Sequence, residues 1–346
     1  MTLAVVLLAA GHGTRMNSKR QKVLHELGGK PMIWHVFTAA ADVADLKPVL
    51  VVGPGETGAR QLIGDDAEYV VQEKRLGTGH ATLVTREALQ GRADQVLVTY
   101  GDMPLLRPKT MQALARQQVE SEAALSMLTV MGQPESTFGR VIRGGNGQVA
   151  EVIEVAVARQ RDDAKAILNV RELNVGVYCF NAGWLWDNLK NLPLRKARNG
   201  QEYYLTDMVG LAVAQGLPVV ATVLDDPDEG LGAGTRAELV EAEAALRRRV
   251  NNRWLDAGVT LVDPATTYIE ADAVIGQDTI IWPNTYIQGH SVIGENCVLG
   301  PNAIVRDAHL GNGCRVEQAI VEGTTLDAGT VVPPFTHCKN EKGASS

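Results

Sequence analysis

The sequence has 346 residues, of which 45% are hydrophobic and 21% charged, a length that suits two domains and a composition far from that of disordered chains. Its 33 Lys and Arg against 40 Asp and Glu give a net charge of -7, which argues against nucleic acid as a partner while leaving room for local basic pockets. The four cysteines, Cys179, Cys297, Cys314 and Cys338, include no Cys-x-x-Cys pair, so neither a zinc site nor a disulfide framework is indicated and a cytoplasmic location is expected.

The apolar start, Leu3 to Ala10, lacks a basic leader, is too short to span a bilayer and runs into a Gly-rich turn, so it reads as a buried strand with no membrane role. Up to about Leu231, short apolar runs alternate with longer amphipathic stretches: Leu3 to Leu8, Val49 to Val52, Glu68 to Val71, Gln95 to Tyr100, Ala124 to Val130 and Leu173 to Phe180. That alternation predicts a Rossmann-like α/β domain over 1–231, with a mostly parallel sheet covered by helices. Within 232–256, Leu239, Ala242, Leu246, Val250 and Trp254 recur at three- and four-residue steps without Gly or Pro, which predicts a linker helix.

Over 257–338 the period changes to six: Ile269, Ile275, Ile281, Ile287, Ile293, Leu299 and Val305 fall in register. This hexapeptide repeat predicts a short left-handed parallel β-helix whose aliphatic residues point inward, with about four coils from Val262 to Val332. The register slips by one at Leu310, resumes at Val316 and fades before a polar tail at 339–346. The flat flanks of such a prism predict a homotrimer.

Directly after the first strand comes Leu8-Ala9-Ala10-Gly11-His12-Gly13-Thr14-Arg15-Met16, with Lys22-Val23-Leu24-His25 close behind. Gly11 and Gly13 let the backbone approach a ligand, bare amides can face phosphate oxygens, and Arg15 and Lys22 supply positive charge. The spacing matches neither the P-loop nor a completed Gly-x-Gly-x-x-Gly, and the bland alternative is a strand-to-helix turn with solvent-facing bases.

Together with Gln72, Leu76-Gly77-Thr78-Gly79-His80, Tyr100-Gly101-Asp102, Phe138-Gly139-Arg140, Glu154, Glu172-Leu173-Asn174 and Glu202-Tyr203-Tyr204-Leu205-Thr206-Asp207, this loop resembles the nucleotidyltransferases that activate sugar phosphates. The nearest likeness is to the bifunctional N-acetylglucosamine-1-phosphate uridylyltransferase/glucosamine-1-phosphate acetyltransferase family, whose architecture also joins a transferase domain by a helix to hexapeptide coils. The resemblance implies that UTP and N-acetylglucosamine 1-phosphate give UDP-N-acetylglucosamine and pyrophosphate by Mg²⁺-dependent in-line displacement. It makes Arg15 and Lys22 the catalytic cations that hold the triphosphate, and Asp102 the metal ligand. Nucleotide contacts fall to Leu8, Ala10, Gly11, Gly13, Thr14, Gln72, Gly77 and Thr78, with Gln72, the Gly77 amide and Ala10 reading the uracil. The sugar falls to Tyr100, Gly101, Gly139, Glu154 and Asn174. A side-chain amide such as Gln72 can both donate to and accept from a pyrimidine edge, and a carboxylate beside phosphates suits Mg²⁺.

Two departures stand out. Where the family takes a second metal ligand from an Asn, this chain has Gly232-Ala233-Gly234-Thr235-Arg236. Water, Thr235 or an acid among Asp225, Asp226 and Asp228 would fill that place. The later coils of the family's acetyltransferase site lie beyond the last residue here, and its basic cluster is reduced to Lys339 and Lys342, so acetyl transfer is not expected. Alternative readings are a different sugar 1-phosphate or nucleotide, or a catalytically weak trimeric binding or regulatory relative.

Overall fold

The computed structural model describes residues 1–11, 13–197 and 200–340. His12 and positions 341–346, which include Lys342 and most of the expected tail, lie outside them. The chain forms two compact units, one of Met1–His25 with Pro31–Leu239, the other of Glu26–Lys30 with the chain from Val240 onward. The divide falls inside the long helix Arg236–Asp256.

In the first unit the main strands are β1 (Leu3–Leu8), β2 (Val49–Val52), β3 (Glu68–Val71), β4 (Gln95–Tyr100), β5 (Leu125–Met131), β6 (Arg140–Arg143), β7 (Val149–Ile153), β8 (Glu172–Asn181) and β9 (Val219–Val223). They form one sheet in the order β9-β5-β8-β4-β1-β2-β3, with β6 pairing β8 and β7. It is mostly parallel, as expected; β8 runs antiparallel to β4, β5 and β6. Alternate residues of β1 serve opposite faces. Leu3, Val5 and Leu7 pack with Ile33 and Val36 of helix α1 (Met32–Ala41), while Ala4 and Val6 pack on the other face with Ala81 of helix α2 (Gly77–Leu83) and Trp186. Burial on both sides explains why β1 reads as an uninterrupted apolar run. Strands β6, β7 and β9 are absent from the expected set, being short runs bounded by Gly-rich or polar turns.

In the second unit, parallel strands stack in three sheets. The first runs from Thr260–Leu261 to Val331–Val332, the second from Thr267–Ile269 to His337–Lys339, and the third from Val274–Ile275 to Thr325–Leu326. This is the left-handed β-helix expected from the six-residue period. Ile269, Ile275, Ile281, Ile287, Ile293, Leu299 and Val305 are all buried. The first inward residue is Leu261, at 6% exposure, and not Val262, at 46%, so the coils begin slightly before the expected position. The slip at Leu310 is present and is joined by two more, at Val321 and Leu326: Tyr286 pairs with Ile304, 18 residues on, but Ile304 pairs with Ile320, only 16 on. The repeat therefore continues with five-residue sides where the sequence pattern fades. Several corners place Asn or Asp in the left-handed region, among them Asp278, Asn284, Asn296, Asn302 and Asp307, residue types that tolerate it.

One buried charge organises the approach to β6. Arg140 is fully buried, and its guanidinium donates to the carbonyl oxygens of Pro134 at 2.6 Å, Ser136 at 3.0 Å, Leu168 at 3.3 Å and Phe138. Burial lowers its pKa. Arg140→Met, which keeps the stem and strands the carbonyls, is expected to cost about 3 kcal/mol of stability in a urea titration.

Candidate active site

Strands β1 and β4 end together, with Leu8 opposite Tyr100, and the chain leaves the sheet at both places. Beyond Leu8, Gly13 adopts φ +61°, and a Cβ on it would stand 2.5 Å from Cβ of Lys22. That glycine lets Lys22 close against the loop, whereas Gly11 faces open space. Two residues not singled out from the sequence hold the loop backbone. Arg75 donates from Nε to the Ala10 carbonyl at 2.6 Å and pairs with Glu56 at 2.9 Å. Glu56 in turn accepts from Gln21 at 3.0 Å and from the Gly53 amide at 2.6 Å.

Outside the two strand ends opens a cavity of about 270 Å³, whose walls include Arg15, Lys22, Tyr100, Asp102, Gly139, Glu154 and Asn174. The expected phosphate, metal and sugar residues thus converge, except Gly101, whose Cβ position points at Ile33, Val23 and Ala9 in the core. A larger cavity of about 530 Å³ lies at the opposite ends of these strands, against Met1, Asp94 and Trp184, but among the described residues no Lys or Arg lines it to hold a phosphate.

On the sugar side, Tyr100 rests on bare backbone: Gly176 has φ +86°, and a Cβ there would sit 2.3 Å from the Tyr100 ring. Gly176 falls where the pairing of β8 with β5 shifts register, between Asn174 and Tyr178, a local irregularity that hydrophobic patterning does not announce. Burial pushes the Tyr100 pKa up, with the Glu154 and Asp102 charges adding to it, so its hydroxyl stays protonated. Buried Asn174 accepts from the Gly176 amide at 3.0 Å through Oδ1, and its backbone N–H meets the Gly139 carbonyl at 2.9 Å. Burial also raises the Glu154 pKa, opposed by a hydrogen bond with Thr206 and reinforced by Asp207 and Glu202. Tyr178, another residue missed from sequence, buries its hydroxyl beside the Asn174 side chain, and burial raises its pKa.

Lys22 Nζ lies 2.6 Å from Asp102 Oδ2, so the expected phosphate base and metal ligand sit in contact. Asp102, a hard carboxylate on the cavity wall, could hold a divalent cation together with phosphate oxygens and water. The space next to Gly234 is filled by two side chains. A Cβ at Gly234 would stand 2.4 Å from Arg15 Nη2 and 3.1 Å from Glu238 Oε2. Of the residues expected to replace the missing ligand, Thr235 caps the helix through the Glu238 amide at 3.2 Å and Asp226 pairs with Arg107. The further acid on the cavity wall, besides Asp102 and Glu154, is Glu238, which three-residue spacing from Thr235 marks only as a helix-start residue.

On the base side, Gln72 follows β3 and is buried. Its Nε2 lies 3.1 Å from the Gly77 carbonyl oxygen and 3.0 Å from Nδ1 of His80. Gly77, at φ +90°, packs against the backbone of Tyr203, and Thr78 Oγ1 accepts from the Leu205 amide at 3.0 Å. The 202–207 motif thereby braces both the base side and, through Thr206, Glu154. Half-buried His80 has its pKa lowered by burial and by Lys74, so its ring is neutral at pH 7.

Comparison with known proteins agrees with this geometry. Residues 5–177 match the MobA-like NTP transferase domain, and residues 272–307 match the bacterial transferase hexapeptide repeats. The chain is 38% identical over 336 residues to the bifunctional protein GlmU of an Exiguobacterium species, covering 97% of this chain and 73% of that protein. It is 38% identical to the protein of the same name from Heliobacterium modesticaldum, covering 96% and 71%, and 37% identical to that of Shouchella clausii, covering 96% and 72%.

A raised pKa means that the fold favours protonated Glu154 over the ordinary carboxyl of the unfolded chain, near 4.5. Its contribution to stability is present below that value and lost as pH rises through the folded one. Glu154→Gln is therefore expected to melt above the parent at pH 7, with the gap closing as pH falls toward about 4.5. Calorimetry across that range checks it.

Proposed function

From the premise that this chain belongs to the bifunctional GlmU family, we propose that it forms UDP-N-acetylglucosamine and pyrophosphate from UTP and N-acetylglucosamine 1-phosphate. The supporting observation is the convergence of Arg15, Lys22, Asp102, Glu154 and Asn174 on one cavity at the strand ends. Nucleotidyl transfer is the only reaction proposed. Residues 1–231 carry it, 232–256 link, and 257–338 assemble the chain. The substrates are cytoplasmic metabolites, and a cytoplasmic location goes with them. Among the described residues, no helix is long and apolar enough to cross a membrane.

An oxygen of the sugar 1-phosphate attacks the α-phosphorus of the nucleotide; a new P–O bond forms there as the bond to the pyrophosphate leaving group breaks. Little proton movement is needed, so the protein's part is orientation and neutralisation of charge. Arg15 and Lys22 hold the triphosphate oxygens and balance the charge that grows on pyrophosphate. Glu154 accepts from a sugar hydroxyl, and Asn174, its Oδ1 already taken, donates through its amide nitrogen. Asp102 would hold Mg²⁺, which would supply further neutralisation of phosphate charge.

Trimerisation is proposed through the coils. Val262, Val274, Trp282, Val292 and Val331 are exposed on them, a density of apolar surface that another chain would cover. Light scattering at micromolar concentration is expected to give three chains; a monomer refutes it.

The reaction is tested by pyrophosphate release from four nucleoside triphosphates crossed with hexose and hexosamine 1-phosphates. Turnover is expected with UTP and N-acetylglucosamine 1-phosphate, and none with any pair refutes the reading. Asp102→Ala is expected to lower that turnover by a factor of about 10³ while preserving the melting transition. Unaltered turnover removes Asp102 from the metal site.

A further inference from the structure

Building on the proposed reaction, we infer that His80 is a positioning residue for base selection: with the Gly77 carbonyl it consumes both N–H groups of Gln72, so that the amide meets a base only as an acceptor. The orientation of Gln72 follows from chemistry. A carbonyl oxygen can only accept, so the amide atom 3.1 Å from Gly77 O has to be nitrogen. The same nitrogen lies 3.0 Å from His80 Nδ1, which then accepts the second proton and leaves the ring proton on Nε2. A neutral ring is what this requires.

Gln72 Oε1 is left with no donor among the described residues, and it is not among the buried polar atoms that lack a partner, so solvent reaches it. An amide free to turn reads either edge pattern by presenting nitrogen or oxygen. One pinned by two acceptors offers lone pairs alone. It therefore favours a base that carries a ring N–H, as uracil does at N3, and repels cytosine, whose N3 is itself an acceptor. Dual reading of a pyrimidine edge by Gln72, expected from residue type, is replaced by single-sense reading.

The test measures binding of UTP and CTP by calorimetry with Mg²⁺ present, alongside turnover, in the parent, His80→Leu, His80→Asn and Gln72→Glu. The parent is expected to favour UTP. His80→Leu, which removes the second acceptor and frees the amide, is expected to cut the UTP:CTP ratio about tenfold while leaving the KM for the sugar 1-phosphate unchanged. His80→Asn, whose Oδ1 can stand in for Nδ1, is expected to restore the ratio. Gln72→Glu, a carboxylate that can only accept, is expected to keep the preference for UTP, which tests acceptor-only reading even should His80→Leu fail to fold. An unchanged ratio in folded His80→Leu, failure of Asn to rescue, or loss of the preference in Gln72→Glu overturns the role of His80. Absence of turnover in the parent, with the binding ratios as expected, overturns the proposed reaction and leaves the role of His80 standing; failure to bind either nucleotide overturns both.

Discussion

Strands β1 and β4 run parallel with Leu8 opposite Tyr100, and the order of the sheet reverses between them. From β1 the chain goes outward to β2 and β3 on one side, then returns to lay β4 on the other. Loops leaving two neighbouring strands in opposite directions open a crevice beyond the strand ends, and ligands of open α/β sheets settle there. Everything chemical in the first unit is arranged around that crevice. The loop after Leu8 brings Arg15 and Lys22, the turn after Tyr100 brings Asp102, and antiparallel β8, inserted beside β4, brings Asn174. A shift of one residue between β1 and β4 would separate Lys22 from Asp102 and turn Tyr100 to the opposite face.

Much of this could be read without coordinates, because it rests on periodicity and on local residue type. The fully apolar β1, the six-residue period of the coils and the Gly-rich loop all follow from rules in which neighbours along the chain decide the outcome. What escaped has another origin. Gly176 matters because the ring of Tyr100, 76 positions away, lies on it; Arg140 because the Leu168 carbonyl, 28 positions on, joins three nearer ones around it; Glu56 because Arg75, 19 positions on, needs a partner. These are contacts between distant segments, and no local pattern encodes them. The coils show the same boundary. Six-residue sides were recognised, whereas the five-residue sides at Val321 and Leu326 break the period although the residues still point inward.

The polar groups of the site also show how a preorganised pocket is maintained. Several of them are secured by the backbone: Arg75 by the Ala10 carbonyl, Gln72 by that of Gly77, Asn174 by the Gly176 amide. Backbone partners cannot be lost by side-chain substitution, and they move only if the fold does. Such anchoring keeps donors and acceptors aimed before a ligand arrives, so binding energy is not spent on ordering them.

The shortened sides of the β-helix carry a geometric consequence. A coil of 16 residues has a perimeter about 7 Å shorter than one of 18, at about 3.3 Å per residue. The residues stacked along the second sheet shrink in step, from Ile269 and Ile287 to Val305, Val321 and Cys338. The coils therefore differ in girth along this sheet, from 18 residues to 16 and then 17 at the last, and are not interchangeable. A coil copied from the Ile-filled end into the shorter ones would bring too much volume, and the reverse graft would leave a void. Any lengthening of this helix by design has to match the local coil length.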